Sequence, residues 1–197
     1  RNKKKLKEIK EILAGMKLKI TSLADYKDMP CIVEDGKTFA QNAVIKASTI
    51  AKFTNKLVLG EDSGLQVTAL GNRPGVYSAR YSGAGATDKK NNSKLLKELE
   101  NVPMKKRTAR YQCSVALADP CGLIGVVSGQ CDGIIGFSPK GHSGFGYDPL
   151  FVIGKYGKTF AELGPEIKHT MSHRYKALKK LRLSMERYLK RSRRFSS

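Results

Sequence analysis

The chain has 197 residues and a mass of 21.7 kDa, and its 37 Lys and Arg outnumber its 17 Asp and Glu, giving a formal net charge of +20. Its 40% of apolar residues can form a core, which excludes disorder of the whole chain. No window approaches the roughly 20 continuous apolar residues of a membrane helix, and the four cysteines, without a C-x-x-C pair, indicate reduced thiols in a cytoplasmic protein.

Apolar spacing in the first half of the chain predicts two helices and three short strands. The helices cover residues 6–16 and 39–51, and Thr38 is the expected N-cap of the second. The strands are expected at residues 17–23, 57–59 and 65–70. Between the last two strands, residues 60–64 read Gly-Glu-Asp-Ser-Gly, a composition that also fits a tight turn.

The second half of the chain adds two helices and a long hairpin. Thr87 is expected to cap a helix that continues to residue 99, and residues 172–191 have the apolar spacing of another helix. Residues 108–118 and 123–135 alternate in polarity and predict paired strands. A Gly-rich loop is expected over 136–149, and the mixture of helices and strands indicates an α/β or α+β fold.

We expect a single domain over residues 1–197. The chain begins at Arg1 inside a basic segment, without an initiator Met or a leading apolar strand, which suggests that a few residues are missing from its start. The Arg- and Ser-rich residues 190–197 are expected to form a frayed basic tail.

The positive charge is concentrated at the two ends of the chain. Residues 1–10 contain six basic residues and one acidic residue, and residues 173–197 contain ten and one, so the ends carry +14 of the +20. A nucleic-acid-binding module would instead interleave basic residues with exposed aromatic residues along one face. The distribution therefore predicts no stable nucleic-acid partner, and the composition predicts no membrane partner.

Residues 2–8 read Asn-Lys-Lys-Lys-Leu-Lys-Glu and lie at the start of the first predicted helix. Unpaired amides at a helix N-terminus attract phosphate, and Lys5 would add a mobile positive charge. A solvated basic helix end is the alternative, which this segment alone favours.

Glu34, Glu61 and Asp62 are the acidic residues that could bind a cation. Glu61 and Asp62 leave an apolar strand, where adjacent carboxylates are costly unless a cation or a basic side chain lies nearby. Together with Glu34 they could form an oxygen-rich Mg²⁺ site. A turn in which the carboxylate bonds to its own backbone is the alternative.

Two Gly-Lys-Thr strings, at residues 36–38 and 157–159, raise the question of a nucleotide-binding P-loop. The required upstream glycine is replaced by Cys31 in the first string and by Val152 in the second. The chain is therefore not expected to contain a P-loop nucleotide site.

Residues 144–149 read Gly-Phe-Gly-Tyr-Asp-Pro. Two aromatic side chains between glycines can stack on a planar base, and Asp148 could accept a hydrogen bond from a base N–H. Lys168, His173 and Arg174, near the last predicted helix, could contact a base edge or a phosphate. A hydrophobic plug and a surface histidine are the alternatives for these two segments.

These segments together supply a phosphate grip, a pair of metal-binding carboxylates and a base pocket, and a nucleoside triphosphate needs all three. In this combination the chain resembles the bacterial-type inosine triphosphate pyrophosphatase family. The resemblance runs in order along nearly the whole chain. Its segments are NKKKLKE (2–8), EDGKTFAQNAVIKA (34–47), EDSGLQVTALGNRPGVYSARYSG (61–83), GFGYDPLF (144–151), TFAEL (159–163) and SHRYKAL (172–178).

The resemblance implies an elongated, two-lobed α/β fold with a long twisted mixed sheet flanked by helices, a substrate cleft between the lobes, and a homodimer. The implied activity is Mg²⁺-dependent hydrolysis of ITP, dITP and XTP to the nucleoside monophosphate and pyrophosphate. Such hydrolysis clears deaminated purines from the nucleotide pool before they are incorporated into DNA or RNA.

The resemblance also implies roles for individual residues. Asp62 is implied as the general base and as a metal ligand, with Glu34 as the other metal ligand, and Glu61 stands where Asp is common in the family. The implied substrate contacts are Arg1, Asn2, Lys3, Lys4, Lys5, Lys46, Ser63, Phe145, Gly146, Tyr147, Asp148, Lys168, His173 and Arg174.

Two alternatives stay close to this family. One is a pyrophosphatase for modified pyrimidine nucleotides, against which the segments 144–148 and 172–174 argue. The other is a catalytically inactive relative, against which Glu34 and Asp62 argue.

Overall fold

The computed structural model describes residues 3–16 and 18–194. Its helices are α1 (Lys3–Ile12), α2 (Phe39–Thr54), α3 (Asp88–Glu98), α4 (Phe160–Met171) and α5 (His173–Arg194). Its strands are β1 (Val58–Val67), β2 (Arg73–Pro74), β3 (Thr108–Asp119), β4 (Gly122–Ile135), β5 (Phe151–Ile153) and β6 (Lys158–Thr159). The predicted mixture of helices and strands is confirmed.

The six strands form one sheet in the order β2-β1-β3-β4-β5-β6. The pairs β1 with β2, β4 with β5, and β5 with β6 are antiparallel. The predicted hairpin of β3 and β4 is confirmed, and its turn is held by Asp119. The Oδ1 atom of Asp119 accepts hydrogen bonds from the backbone of Cys121 and Gly122, at 2.8 Å and 3.0 Å.

The chain divides into two compact units. Unit 1 consists of Arg1–Asp62, Ser114–Gly129 and Tyr175–Ser197, and unit 2 consists of Ser63–Cys113 and Gln130–Arg174. Each unit has its own packing and its own group of candidate functional side chains.

In unit 1, small residues let α2 lie very close to the sheet. The buried side chains at this contact are Ala43, Ala47 and Ala51 of α2 and Ala116 and Ala118 of β3. Gly60 of β1 touches the backbone of Ala43 and Ala47, so no other residue would fit there. This close approach brings the residues that follow Gly60 within reach of side chains on α2.

The core of unit 2 is rich in aromatic residues. The ring of Tyr111 in β3 lies 4.6 Å from that of Phe151 in β5, which stacks on Phe160 of α4 at 5.4 Å. Leucine and isoleucine side chains such as Leu65 and Ile135 complete this core. The Gly-rich loop over 136–149 precedes β5 and is anchored to this core.

Threonine caps begin three of the helices. Thr38 accepts a hydrogen bond from the backbone of Gln41, whose side chain bonds back to Thr38, so the predicted start of α2 is confirmed. Thr87 caps α3 as predicted. Thr159 caps α4, a helix that the sequence analysis did not predict.

Two strand predictions were wrong. Residues 57–70 do not form two strands around a turn, because β1 runs unbroken from Val58 to Val67 and contains both acidic residues. Residue 17 lies outside the described residues, and 18–22 form no strand. Ser22 instead caps a short 3₁₀ turn at Leu23–Asp25. In the described part of the chain, no helix is both long and apolar enough to cross a membrane.

Candidate functional site

The carboxylate cluster, defined as Glu34, Lys46, Glu61 and Asp62, lies in unit 1. The Nζ atom of Lys46 on α2 is 2.9 Å from Glu34 Oε2 and 2.9 Å from Asp62 Oδ1. It also donates to the backbone carbonyl of Glu61 at 3.1 Å. One ammonium group therefore bridges two carboxylates that are far apart in the sequence, which the close approach of β1 to α2 makes possible.

The charge of Lys46 is stabilised by these partners. Burial alone lowers the pKa of Lys46, but attraction to Asp62 and hydrogen bonds to Asp62 and Glu34 outweigh the burial, so its pKa lies above the usual value of 10.5. Lys46 is therefore positively charged at any physiological pH.

Asn42 holds the second oxygen of Asp62. It lies one helical turn before Lys46 on α2, and its Nδ2 donates to Asp62 Oδ2 at 3.2 Å. The orientation of the amide is fixed, because its Oδ1 accepts from the backbone N–H of Gly36 at 2.9 Å. The two oxygens of Asp62 thus have different surroundings, a cation at Oδ1 and a neutral amide at Oδ2.

Helix α1 contributes a second lysine to the carboxylate cluster. The Nζ atom of Lys5 lies 3.4 Å from Glu61 Oε1, and the Glu61 side chain is almost completely buried. Glu61 thus points to Lys5, while Asp62, the next residue along β1, points to Lys46. Each acidic residue of the strand has its own basic partner, which explains why the strand continues through both.

The donor set of the carboxylate cluster fits a divalent cation. Glu34 and Asp62 place oxygens at the same distance from one nitrogen atom, so both can face a single positive centre. No three His, Cys, Asp or Glu side chains form a complete metal site within residues 3–16 and 18–194. Mg²⁺ is usually held by one or two carboxylates, with water and substrate phosphates supplying the other oxygens. The pair therefore fits a Mg²⁺ that binds with a phosphorylated ligand.

The aromatic cluster, defined as Phe145, Asp148, Lys168, His173 and Arg174, lies in unit 2. Lys168 Nζ is 2.7 Å from Asp148 Oδ2 in an almost fully buried ion pair. Asp148 Oδ2 also accepts from the backbone N–H of Phe145 at 2.9 Å. The ammonium of Lys168 lies 4.6 Å from the centre of the Phe145 ring, and the guanidinium of Arg174 lies 5.7 Å from it. Two cations thus approach one aromatic ring.

The backbone of this loop is fixed on several sides. Gly144 has a φ of +82° and lies against the Asp148 carboxylate, so a side chain at this position would collide with that group. The N–H of Gly146 donates to Asp88 Oδ2 at 2.8 Å, and its carbonyl accepts from Asn92 Nδ2 at 2.9 Å. The loop that presents Phe145 is therefore held from α3, which supplies both of these partners.

Ser63 and Arg174 are brought together within unit 2. Arg174 Nη2 donates to Ser63 Oγ at 3.1 Å, although 111 positions separate the two residues. Arg174 is buried and Ser63 is half-buried. The Ser63 hydroxyl is thus bonded to a residue of the aromatic cluster.

Comparison with known proteins decides the family. The sequence pattern of the Ham1 family matches residues 1–183, which is most of the chain. The chain belongs to the Ham1 family.

Curated relatives of this Ham1-family chain bear the name dITP/XTP pyrophosphatase. The protein of that name from Geobacter sulfurreducens is 52% identical over 178 residues, covering 90% of this chain and 89% of the relative. The one from Geobacillus kaustophilus is 48% identical over 181 residues, covering 92% of this chain and 89% of the relative.

Solved structures resemble the Ham1-family chain over nearly its whole length. A HAM1 protein from Coxiella burnetii has a TM-score of 0.86 and 37% identity, covering 95% of each chain. A nucleoside-triphosphatase, dITP/XTP pyrophosphatase, from Mycobacterium abscessus has a TM-score of 0.75 and 41% identity, covering 92% of this chain and 94% of the other. The likeness extends from sequence to fold.

Most of the residues predicted from the sequence lie in or beside the two clusters. Arg1 and Asn2 lie outside the described residues, and Lys3 is described only as the first residue of α1. Lys4 is exposed on the first turn of α1. The other predicted residues are placed in or beside the clusters: Glu34, Lys46, Asp62 and Lys5 in unit 1, and Ser63, Phe145, Gly146, Tyr147, Asp148, Lys168, His173 and Arg174 in unit 2.

Four side chains that hold the clusters were not predicted. Asn42 could have been found, because it lies four positions before Lys46 and therefore on the same face of the predicted helix. Asp88 and Asn92 share a face of α3 by the same spacing, but nothing in the sequence connects that face to the loop at Gly146. Tyr111 appeared only as one residue of an alternating strand.

Proposed function

We propose that this Ham1-family protein hydrolyses the triphosphates of deaminated purines, ITP, dITP and XTP, to the nucleoside monophosphate and pyrophosphate. The observation that carries the proposal is the pair Glu34 and Asp62, which converge on one ammonium group in a family whose curated relatives are named dITP/XTP pyrophosphatase. The expected role is removal of these nucleotides from the pool in the cytoplasm before they enter DNA or RNA.

In the proposed reaction, water attacks the α-phosphorus and the bond to the bridging oxygen of pyrophosphate breaks. Asp62 orients the water and accepts its proton at Oδ2, the oxygen that Asn42 holds in place. Asp62 and Glu34 would hold the cation. The difference between the two oxygens of Asp62 allows one carboxylate to serve both purposes.

We propose Mg²⁺ as the cofactor, held by Glu34 and Asp62 together with the substrate. When bound, it would neutralise the charge that develops on the oxygens of the leaving pyrophosphate. Lys5 and Lys46 would supply positive charge at the phosphates.

The aromatic cluster is proposed to select the base. Phe145 stacks on the purine, while Lys168, His173 and Arg174 present donors to the oxo group at position six that hypoxanthine and xanthine share. Adenine carries an amino group there, which would leave those donors without an acceptor, and such a mismatch discriminates strongly. Guanine also carries the oxo group, so its rejection needs a further contact at position two.

A substrate panel tests the proposed function. Release of pyrophosphate is measured from ITP, XTP, GTP and ATP, with Mg²⁺ and after its removal by a chelator. We expect ITP and XTP to be hydrolysed fastest, with activity lost on chelation and restored by added Mg²⁺. Equal rates with all four nucleotides would contradict the selectivity, and full activity in the chelator would contradict the role of the cation.

The assembly is proposed to be a homodimer, as the resemblance to the family implies. Analytical ultracentrifugation of the purified protein measures this directly. Sedimentation as a species of 21.7 kDa at the concentrations used for the activity measurements would contradict the proposal.

A further inference from the structure

One buried side chain outside the predicted site contacts two of its segments. Tyr111 lies in β3 and is only 6% exposed. Its ring is nearly parallel to the imidazole of His173, with centroids 4.6 Å apart and an interplanar angle of 11°. The ring of Phe151 lies on Tyr111 at 4.6 Å and a 53° tilt, so the tyrosine ring cannot turn without displacing a core residue.

The hydroxyl of Tyr111 contacts the other segment. The backbone N–H of Tyr147 donates to Tyr111 Oη at 3.1 Å. Tyr147 is itself fixed, because its own hydroxyl donates to the carbonyl of Ser78 at 2.8 Å. The contact with Tyr111 ties the middle of the 144–149 loop to strand β3.

We propose that Tyr111 is a positioning residue for base recognition: its ring sets the plane of the His173 imidazole, and its hydroxyl sets the position of the loop that carries Phe145. The inference rests on the proposed function, since it assigns to Tyr111 the relative placement of two groups that would contact the same purine. Tyr111 itself touches no reacting atom.

The environment of Tyr111 suits this role. Burial, followed by the negative charge of Asp148, raises the pKa of Tyr111 well above its usual value of 10.0. The hydroxyl is therefore neutral over the working range of pH. A neutral hydroxyl accepts the Tyr147 N–H without placing a second negative charge beside Asp148.

Two substitutions separate the role of the Tyr111 ring from the role of its hydroxyl. Tyr111→Phe keeps the ring and removes the acceptor, whereas Tyr111→Leu removes both. We expect Tyr111→Phe to raise KM for ITP by about five- to tenfold with kcat within about twofold of the wild type, the effect of one lost hydrogen bond on binding. Tyr111→Leu should raise KM further and also reduce the preference for ITP over ATP.

The orientation of His173 has its own spectroscopic readout. The ring current of a stacked aromatic ring shields the protons of its neighbour. The His173 ring protons should therefore resonate upfield in the NMR spectrum of the wild type and of Tyr111→Phe. In Tyr111→Leu they should move to the position of an unstacked histidine. The signal is assigned by its disappearance in His173→Gln.

Tyr81→Phe is the matched control. Tyr81 belongs to the same core and is similarly buried, but its hydroxyl donates to Glu98 at 2.6 Å, whereas the hydroxyl of Tyr111 accepts from the loop. We expect it to lower the melting temperature at least as much as Tyr111→Phe while leaving KM for ITP unchanged. This separates positioning from a general loss of stability.

The outcomes distinguish the inference from the function on which it rests. If the wild type hydrolyses ITP and Tyr111→Phe has the same KM as Tyr81→Phe, the inference is wrong and the function stands. If the wild type hydrolyses neither ITP nor XTP, the proposed function is wrong and the role of Tyr111 in base recognition falls with it. An unchanged His173 signal in Tyr111→Leu would overturn the role of the ring in either case.

Discussion

The carboxylate cluster of unit 1 and the aromatic cluster of unit 2 each contain a lysine paired with an aspartate, but the two pairs differ in their exposure to water. In unit 1 the side chains of Lys46, Asp62 and Glu34 are 17%, 11% and 35% exposed. In unit 2 the side chains of Lys168 and Asp148 are 4% and 2% exposed. The first group can exchange partners with water and ligands, whereas the second is fixed within the fold.

The difference in exposure suits the role proposed for each cluster. A group that binds a cation and phosphates must release its internal partners when the ligands arrive, so it benefits from partial solvation. A pocket that distinguishes two bases needs donors that do not move, because a mismatch is costly only when the donors cannot turn toward water. Substitutions in the two clusters should therefore affect activity and stability in different proportions.

Asp62→Asn should give the largest effect on turnover. The amide keeps the shape of the side chain but neither accepts the proton of water nor supplies a charge to the cation, so we expect turnover to fall by about 10³-fold. Circular dichroism should show an unchanged fold. Asp35→Asn is the matched control, because Asp35 is exposed near Glu34 and should retain wild-type turnover. Near-normal turnover in Asp62→Asn would remove that residue from the central role.

Lys168→Met should give the largest effect on stability. It leaves the Asp148 carboxylate buried without its ammonium partner, and we expect the free energy of unfolding in urea to fall by about 3–5 kcal/mol. Addition of Asp148→Asn to this variant removes the isolated charge and should recover part of the loss. A single variant as stable as the wild type would show that the pair is not buried as described.

Lys46→Met provides the contrasting measurement in unit 1. Its carboxylate partners keep some contact with water, so we expect a loss of only about 1 kcal/mol in unfolding free energy. Pyrophosphate release should nevertheless fall by about 10²-fold, because a fixed charge at the phosphates is lost. If Lys46→Met destabilised the protein as much as Lys168→Met, the contrast between the clusters would be wrong.

The smallest expected effect concerns alkaline pH. The folded protein raises the pKa of Tyr111 above its usual 10.0 through burial and Asp148, so the stability that this protonated group contributes is complete below pH 10 and declines above it, as the unfolded chain releases the proton. Melting temperatures from about pH 9 to about pH 11 should therefore fall less steeply for Tyr111→Phe than for the wild type.

Tyr26 in unit 1 is the control for this pH effect. Its pKa is lowered by hydrogen bonds with Lys56 and Thr21, so it should ionise before the buried tyrosines of unit 2. Tyr26→Phe should remove the earliest part of the near-ultraviolet titration and should not flatten the pH dependence of the melting temperature. A flattened dependence in Tyr26→Phe would show that the buried tyrosines are not its source.

The local parts of the fold could be read from short segments. Thr38 and Thr87 cap their helices because a threonine side chain satisfies an amide three residues ahead, which is an interaction within one turn. The β3–β4 hairpin was similarly evident from alternation and a turn. The predicted turn at residues 60–64 was wrong because it depended on distant residues. Two adjacent acidic residues are unsuited to a strand unless basic partners lie nearby, and those partners are on α1 and α2.

By itself, the sequence determined the starts of α2 and α3, the long hairpin and most of the residues proposed for the site, because caps, alternation and short motifs depend on neighbours along the chain. Only the tertiary structure decided that Lys46 bridges Glu34 and Asp62, that Arg174 bonds to Ser63, and that Tyr111 lies against His173. These contacts join residues that are far apart in the sequence. Their formation depends on how closely the elements pack, as at Gly60, and that distance is set by the whole core.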